Sequence, residues 1–248
     1  MKGKPGRVPR IHVAQALRAG ARLELPATAA HHALRVLRLR AGDALTLFDG
    51  SGGEWSATVA SAARGRLAVE IGAWHDVERE SPLRVTLVQG VSSGERMDAT
   101  VQKATELGVA AFQPVLAQKS VVKLAAERAA ARLVHWRRVA IAACEQCGRN
   151  RLPEVLAVLS LDAYCRTAPQ GVRLLLSPDA QRRLGSVAAR MAAPVTLAAG
   201  PEAGFSPAEE AMLEAAGFIP VALGPRVLRT ETAAPAALAA LAALAGEF

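Results

Sequence analysis

The sequence is poor in cysteine, with Cys144, Cys147 and Cys165 as its only thiols in 248 residues. Three thiols cannot build a disulfide framework, and their scarcity suits a reducing cytoplasm. Cys144 and Cys147 form one C-x-x-C inside a helical pattern, and no second pair stands by to complete a zinc site. No metal is therefore expected. Apolar runs of membrane-spanning length are missing too, and the opening MKGKPGRVPRIHV is charged without an apolar stretch. These absences predict a soluble, unexported protein with no membrane partner. Acid is nearly missing from residues 1–40, which hold nine Lys or Arg and a single carboxylate, Glu24, a net +8 that equals the charge of the whole chain. A basic segment of that kind is either a solvated surface or the footprint of a polyanion, and nucleic acid is the stronger reading.

What is present is a chain with two textures. Between Ala21 and Trp74 apolar residues alternate: Leu45 and Leu47, then Trp55, Ala57 and Val59, then Leu67, Val69 and Ile71. Turn signals separate these runs, as in Asp49-Gly50-Ser51-Gly52-Gly53, and a helical segment covers Thr28 to about Leu37. Several short half-buried strands predict a small β-barrel over residues 1–75. Residues 76–82 (DVERESP) read as a linker. Over 83–248 strands alternate with helices, the α/β pattern of a parallel sheet. Strands are expected at Leu83–Gln89, Phe112–Leu116, Val172–Leu176, Val195–Ala199 and Ile219–Leu223. Ser92 and Glu95 have capping-box spacing, and Ser206-Pro207-Ala208-Glu209 is a stronger helix start. Long helices are expected over about Ala125–Cys147 and Thr230–Ala245, the first with an apolar face of Leu133, Trp136, Ala140, Ile141 and Cys144.

Two strands, Val195–Ala199 and Ile219–Leu223, end in Gly-Pro. Ligands of α/β sheets bind beyond such strand ends. Gly200-x-x-x-Gly204 lacks the dinucleotide spacing, and the chain has no Gly-Lys-Ser or Gly-Lys-Thr. A phosphate cradle is therefore disfavoured. A backbone-lined pocket for a base or a thioether-like cofactor competes with the plainer reading of two ordinary turns.

Motifs in a fixed order extend that reading. They are Arg7-Val8-Pro9-Arg10-Ile11-His12-Val13, His31 to Asp43, Phe48-Asp49-Gly50, Arg96-Met97-Asp98, Gln102 to Gly108, Glu145-Gln146-Cys147-Gly148-Arg149-Asn150 and Gly224 to Ala233. Together they resemble the bacterial 16S rRNA uracil-N3 methyltransferases, a branch of the SPOUT (trefoil-knot) methyltransferases. The resemblance covers nearly the whole chain. It implies a PUA-like RNA-binding barrel (1–75) and a knotted parallel-sheet methyltransferase domain (83–248). It also implies a homodimer that acts on 16S rRNA or the small ribosomal subunit, with S-adenosylmethionine as cofactor. The cofactor would lie against Leu176, Ser177, Ala199, Gly200, Pro201, Glu202, Gly204, Leu223, Gly224, Leu228, Arg229 and Thr230. Arg229 would be the cation beside the uracil oxygens, with Glu202 or Glu231 as orienting or proton-accepting carboxylates. Arg7, Arg10, Arg35, Arg38 and Arg149 would contact RNA. Ala203 stands where the family usually carries the first of two glycines; a left-handed backbone there would cost alanine about 1 kcal/mol. Competing readings are a knotted methyltransferase for another RNA or atom, and an RNA-binding module without catalysis.

Overall fold

The three period-two segments become β3 (Ala44–Phe48), β4 (Glu54–Ala63) and β5 (Arg66–His75) of a five-stranded sheet, which β1 (Arg10–His12) and β2 (Arg22–Glu24) complete in the hydrogen-bonded order β1-β3-β4-β5-β2. The β1–β3 ladder is parallel and the other three are antiparallel. Alternation puts Leu45, Leu47, Ala57, Val59, Leu67, Val69 and Ile71 on one face, where they form a core with Ile11, Val13 and Ala30. The computed structural model describes residues 8–120, 126–168, 170–188 and 194–248. Its chain divides into two units, Met1–Glu80 with Cys144–Leu152, and Ser81–Ala143 with Pro153–Phe248.

The helix expected from Thr28 changes pitch. It begins as α1 (Ala27–His31) and continues as a π-helical turn over His32–Val36. Arg38 follows with φ 58°, one of two described non-glycine residues with positive φ. Inserted π turns and left-handed non-glycine residues are strained and recur at functional sites.

The segment read as a linker is pinned. Glu54 pairs with Arg10 and Arg79, Glu80 with Arg149, and Glu78 with Arg151. Asn150 donates to the Val77 carbonyl at 2.6 Å. Arg10 also lies over the Phe48 ring, 4.9 Å from its centroid. Burial pushes the Glu54 carboxyl up, but hydrogen bonds and charge from Arg79 and Arg10 outweigh it and hold the group at about 2. The Cys144 thiol, buried and far from solvent, is pushed up to about 12 and is inert.

In the second unit every strand of the sheet is parallel. The order is β12 (Ile219–Val221), β10 (Val172–Leu176), β11 (Val195–Ala199), β6 (Val85–Gly90), β7 (Ala111–Leu116) and β8 (Glu154–Val155), with β9 (Leu159–Ser160) also on β7. A parallel sheet is covered on both faces, so its strands read as nearly unbroken apolar runs. Consecutive residues therefore enter opposite cores. Leu87, Leu174 and Leu197 meet α2 (Gly94–Glu106), α3 (Ala126–Cys147) and α7 (Thr230–Leu244). Val88, Leu175 and Ala198 meet α4 (Leu161–Thr167) and α6 (Pro207–Ala215). A short helix, α5 (Leu184–Ala188), completes the described elements. Trp136, Ala140 and Cys144 of the expected α3 face are buried, whereas Leu133 and Ile141 are only partly so.

The Ser206 capping box forms as expected, with reciprocal bonds between Ser206 and Glu209. The expected Ser92 box does not. Ser93 is the N-cap of α2 and makes no side-chain cap, and the Ser92 hydroxyl turns to the Gly90 carbonyl at 3.2 Å. No described helix is long and apolar enough to cross a membrane, and the described residues hold no group of three or more potential metal ligands.

The Glu54 network yields a test. Glu54→Ala leaves the Arg10 guanidinium buried without its carboxylate and should destabilise by about 3–5 kcal/mol at neutral pH. A carboxyl held below its unfolded value stabilises above that value and loses the contribution as pH falls towards about 2. Urea midpoints of wild type and variant should therefore converge as pH drops below about 4.

Candidate functional site

The site in the second unit begins with three glycines and a proline. β6 ends at Gly90 and β11 runs into Gly200-Pro201. A Cβ on Gly90 would stand 2.4 Å from Pro201 Cδ, and one on Gly200 would stand 2.9 Å from the Gly204 backbone. Neither position has room for a side chain, so the loop after β11 folds flat against the end of β6.

A polar hub fixes this packing. The buried Gln89 amide donates to the carbonyl of Gly200 at 3.0 Å and to Thr230 Oγ1 at 3.1 Å. Thr230 Oγ1 donates in turn to the Gly200 carbonyl at 2.8 Å. Three segments distant in sequence, namely the end of β6, the loop after β11 and the start of α7, are thus tied at one oxygen.

Behind this hub lies a cavity of about 360 Å³, within the usual range for small-molecule sites. It is lined by Leu176, Ser177, Ala199, Gly200, Pro201, Glu202, Gly204, Leu223, Gly224, Leu228 and Thr230. Arg229, the remaining residue read from sequence as a cofactor contact, does not line it. Arg229 is the exposed N-cap of α7. Ala203 also lines the cavity and lies outside the left-handed region; Gly204, at φ 69°, takes that conformation instead. The strain expected of an alanine here is absent.

Sequence reasoning missed other lining residues, among them Asp179, Phe205, Glu210, Val221, Arg226, Val227 and Ala233. Asp179 lies just past the end of β10, where the strand-end rule could have found it. Glu210 was hidden behind the capping role of its neighbour Glu209. Burial pushes the Glu210 carboxyl up, only partly offset by the Ser177 hydroxyl, and Asp179 adds to the rise.

The two proposed carboxylates differ. Glu202 Oε1 accepts the Ser93 backbone N–H at 2.7 Å, and Arg96 lies 3.4 Å away. Burial alone would raise the Glu202 carboxyl, but the Ser93 N–H and Arg96 hold it below the usual carboxylate range. Glu202 is therefore kept ionised. Glu231, in the first turn of α7, lies 3.9 Å from the Arg96 Nε. Each carboxylate keeps a buried Oε2 with no hydrogen-bond partner. Arg96, missed as a site residue, is the cation that the structure brings to both.

In the first unit the basic candidates separate. Arg10 and Arg149 are 8% and 4% exposed and hold ion pairs with Glu54 and Glu80, which corrects their reading as RNA contacts. Arg35 and Arg38 are exposed on and after the π-helical turn, beside an exposed Val36. Arg7 lies outside the described residues.

The comparisons with known proteins agree with this geometry. Residues 79–242 match a family model described as an RNA methyltransferase domain, and residues 25–72 match one described as an RNA methyltransferase PUA domain. The chain is 36% identical, over 88% of its length and 84% of the relative's, to ribosomal RNA small subunit methyltransferase E of Mycobacterium bovis. It is 31% identical, over 95% and 96%, to the protein of that name from Buchnera aphidicola. Among solved structures it resembles the Neisseria gonorrhoeae ribosomal RNA small subunit methyltransferase E bound to S-adenosylmethionine (39% identity, 96% and 98% coverage, TM-score 0.88). It also resembles a Legionella pneumophila protein described as a methyltransferase, in complex with bound S-adenosylmethionine (40%, 96% and 98%, TM-score 0.92).

The close approach at Gly90 gives the site's own test. Gly90→Ala must push Pro201 away, an overpacking that costs about 1–3 kcal/mol. Calorimetry should show S-adenosylmethionine binding weakened roughly ten- to a hundredfold, while the far-ultraviolet circular dichroism is retained.

Proposed function

The chain belongs to the ribosomal RNA small subunit methyltransferase E family, and from that premise we propose that it transfers the methyl group of S-adenosylmethionine to N3 of one uridine in 16S rRNA. The observation that carries the proposal is the glycine-lined cavity tied together by Gln89, Gly200 and Thr230. The cavity suits this cofactor on its own chemistry. A Cβ on Gly204 or Gly224 would meet no protein atom within 4 Å, so backbone at these lining positions stays open to a ligand. The lining carries three carboxylates, Asp179, Glu202 and Glu210, against one cation, Arg226. Such a lining favours a ligand with a sulfonium and an ammonium and opposes a polyphosphate.

When bound, the cofactor supplies a methyl group activated by its positive sulfur. The chain must supply a deprotonated nitrogen in line with it. Uracil N3 carries a proton and faces a pairing partner in a duplex, so the target is taken single-stranded or flipped out. Glu202, held ionised by the Ser93 N–H, serves as an orienting group rather than a base. Glu231, whose Oε2 accepts no hydrogen bond and lies 3.9 Å from the Arg96 Nε, receives the N3 proton. With the cofactor bound, these residues would hold the N3 lone pair in line with the activated methyl group that the cofactor supplies. Arg229, exposed at the start of α7, steers the acceptor nucleotide.

Arg35 and Arg38 hold the RNA on the first unit, together with Arg7. Residues 1–75 form a PUA-like barrel, and the methyltransferase domain over residues 83–248 ends in a trefoil knot. The enzyme works as a homodimer in the cytoplasm on the small ribosomal subunit. The family resemblance supports these last features.

Small subunits from a strain lacking the endogenous enzyme provide the test. Incubation with this protein and the cofactor should create one reverse-transcription stop at a uridine, because a methyl on N3 blocks pairing. Cofactor binding without such a stop would remove the substrate assignment.

A further inference from the structure

Among the described residues, Arg96 is the cation that the fold fixes between Glu202 and Glu231. It stands on the first turn of α2, 3.4 Å from Glu202 Oε1 and 3.9 Å from Glu231 Oε2. Its side chain is 45% exposed, so the guanidinium is held on one side and open on the other. The Arg226 and Arg229 side chains are exposed and make no ion pair or hydrogen bond among the described residues. Two carboxylates around one guanidinium leave the local charge negative, which disfavours a phosphate there. A neutral imide edge fits better. Uracil presents a carbonyl oxygen beside an N–H, and the site presents arginine N–H donors beside carboxylate oxygens that accept no hydrogen bond from the described residues.

We propose that Arg96 donates to a carbonyl oxygen flanking N3 of the acceptor uracil and stabilises the charge that spreads onto that oxygen when N3 loses its proton. The inference rests on the uridine-N3 reading above. It assigns to Arg96 the charge-stabilising role that the sequence placed on Arg229. Glu202 acts through it as a positioning residue, and Glu231, which takes the N3 proton, also helps to set the direction of its free donors. A donor aimed at developing charge is most effective when it is fixed before the reaction.

The test uses single-turnover methylation of the same small subunits by wild type, Arg96→Ala, Arg96→Lys and Arg229→Ala, from about pH 7 to pH 9, with cofactor binding measured by calorimetry. Losing one donor to a developing anion typically costs about a hundredfold or more in rate. Arg96→Ala should show that loss near pH 7 with cofactor affinity within about twofold of wild type. The deficit should shrink as pH rises, because solution then removes the N3 proton without help. Lysine should restore part of the rate, and the Arg229→Ala loss should be independent of pH. A deficit that does not change with pH overturns the proposal. So does a loss of cofactor affinity that matches the loss of rate, since Arg96 would then only brace the Glu202 loop. If Arg96→Ala does not fold, the same pH criterion applied to Arg96→Lys decides. A wild-type protein that leaves every uridine unmodified brings down the uridine reading itself, a different outcome from either.

Discussion

The carbonyl oxygen of Gly200 is the constraint on which the second unit's site depends. It accepts from the Gln89 amide and from the Thr230 hydroxyl. Gln89 is the penultimate residue of an inner strand, Gly200 opens a loop and Thr230 starts the last helix. No local preference brings these three together, since 111 residues separate Gln89 from Gly200 and 30 separate Gly200 from Thr230. Buried polar groups must find partners, and a network in which they do so specifies one arrangement against many. The glycines at 90 and 200 permit the approach, and the hydrogen bonds make it the preferred one. The cavity is what remains when three loops are held at one point.

The electrostatics divide along similar lines. In the first unit the charges nearest the core are consumed by folding. Arg10 and Arg149 pair with Glu54 and Glu80, and Arg10 also covers Phe48. Among the cations left at the surface, Arg35 and Arg38 stand on strained backbone, in a π-helical turn and at a positive φ. In the second unit carboxylates outnumber cations around the cavity. A polyanion and a cationic cofactor would thus meet surfaces of opposite sign, which separates the two ligands by charge before any specific contact is made.

Much of this was legible in the sequence where the signal is local. The apolar runs over 172–176 and 195–199 coincide with β10 and β11, because short runs bounded by turn residues leave few other solutions. Ser206, Pro207 and Glu209 cap α6 because the capping box is a contact among near neighbours. Of the residues read from sequence as cofactor contacts all but Arg229 line the cavity, but other lining residues, Asp179, Glu210 and Arg226 among them, were not read. What stayed illegible depends on long-range partners. Arg10 meets Asn150 across 140 residues, so its positive charge could not reveal that it is buried. Ser92 has the spacing for a cap, but the chain uses Ser93, whose N–H is taken by Glu202 from 109 residues away. Arg96 belongs to a motif noted for its order alone, and its place between two carboxylates exists only after the loops converge.

The claim that the Gly200 hub shapes the cofactor cavity is tested most directly by a double-mutant cycle between Gln89→Leu and Thr230→Val, read as S-adenosylmethionine affinity. The side chains touch each other and share one acceptor, so the account predicts coupling of about 0.5–3 kcal/mol: each single change weakens binding, and the double change costs clearly less than the two together. Strictly additive losses, or single variants that bind the cofactor as wild type does, would contradict it.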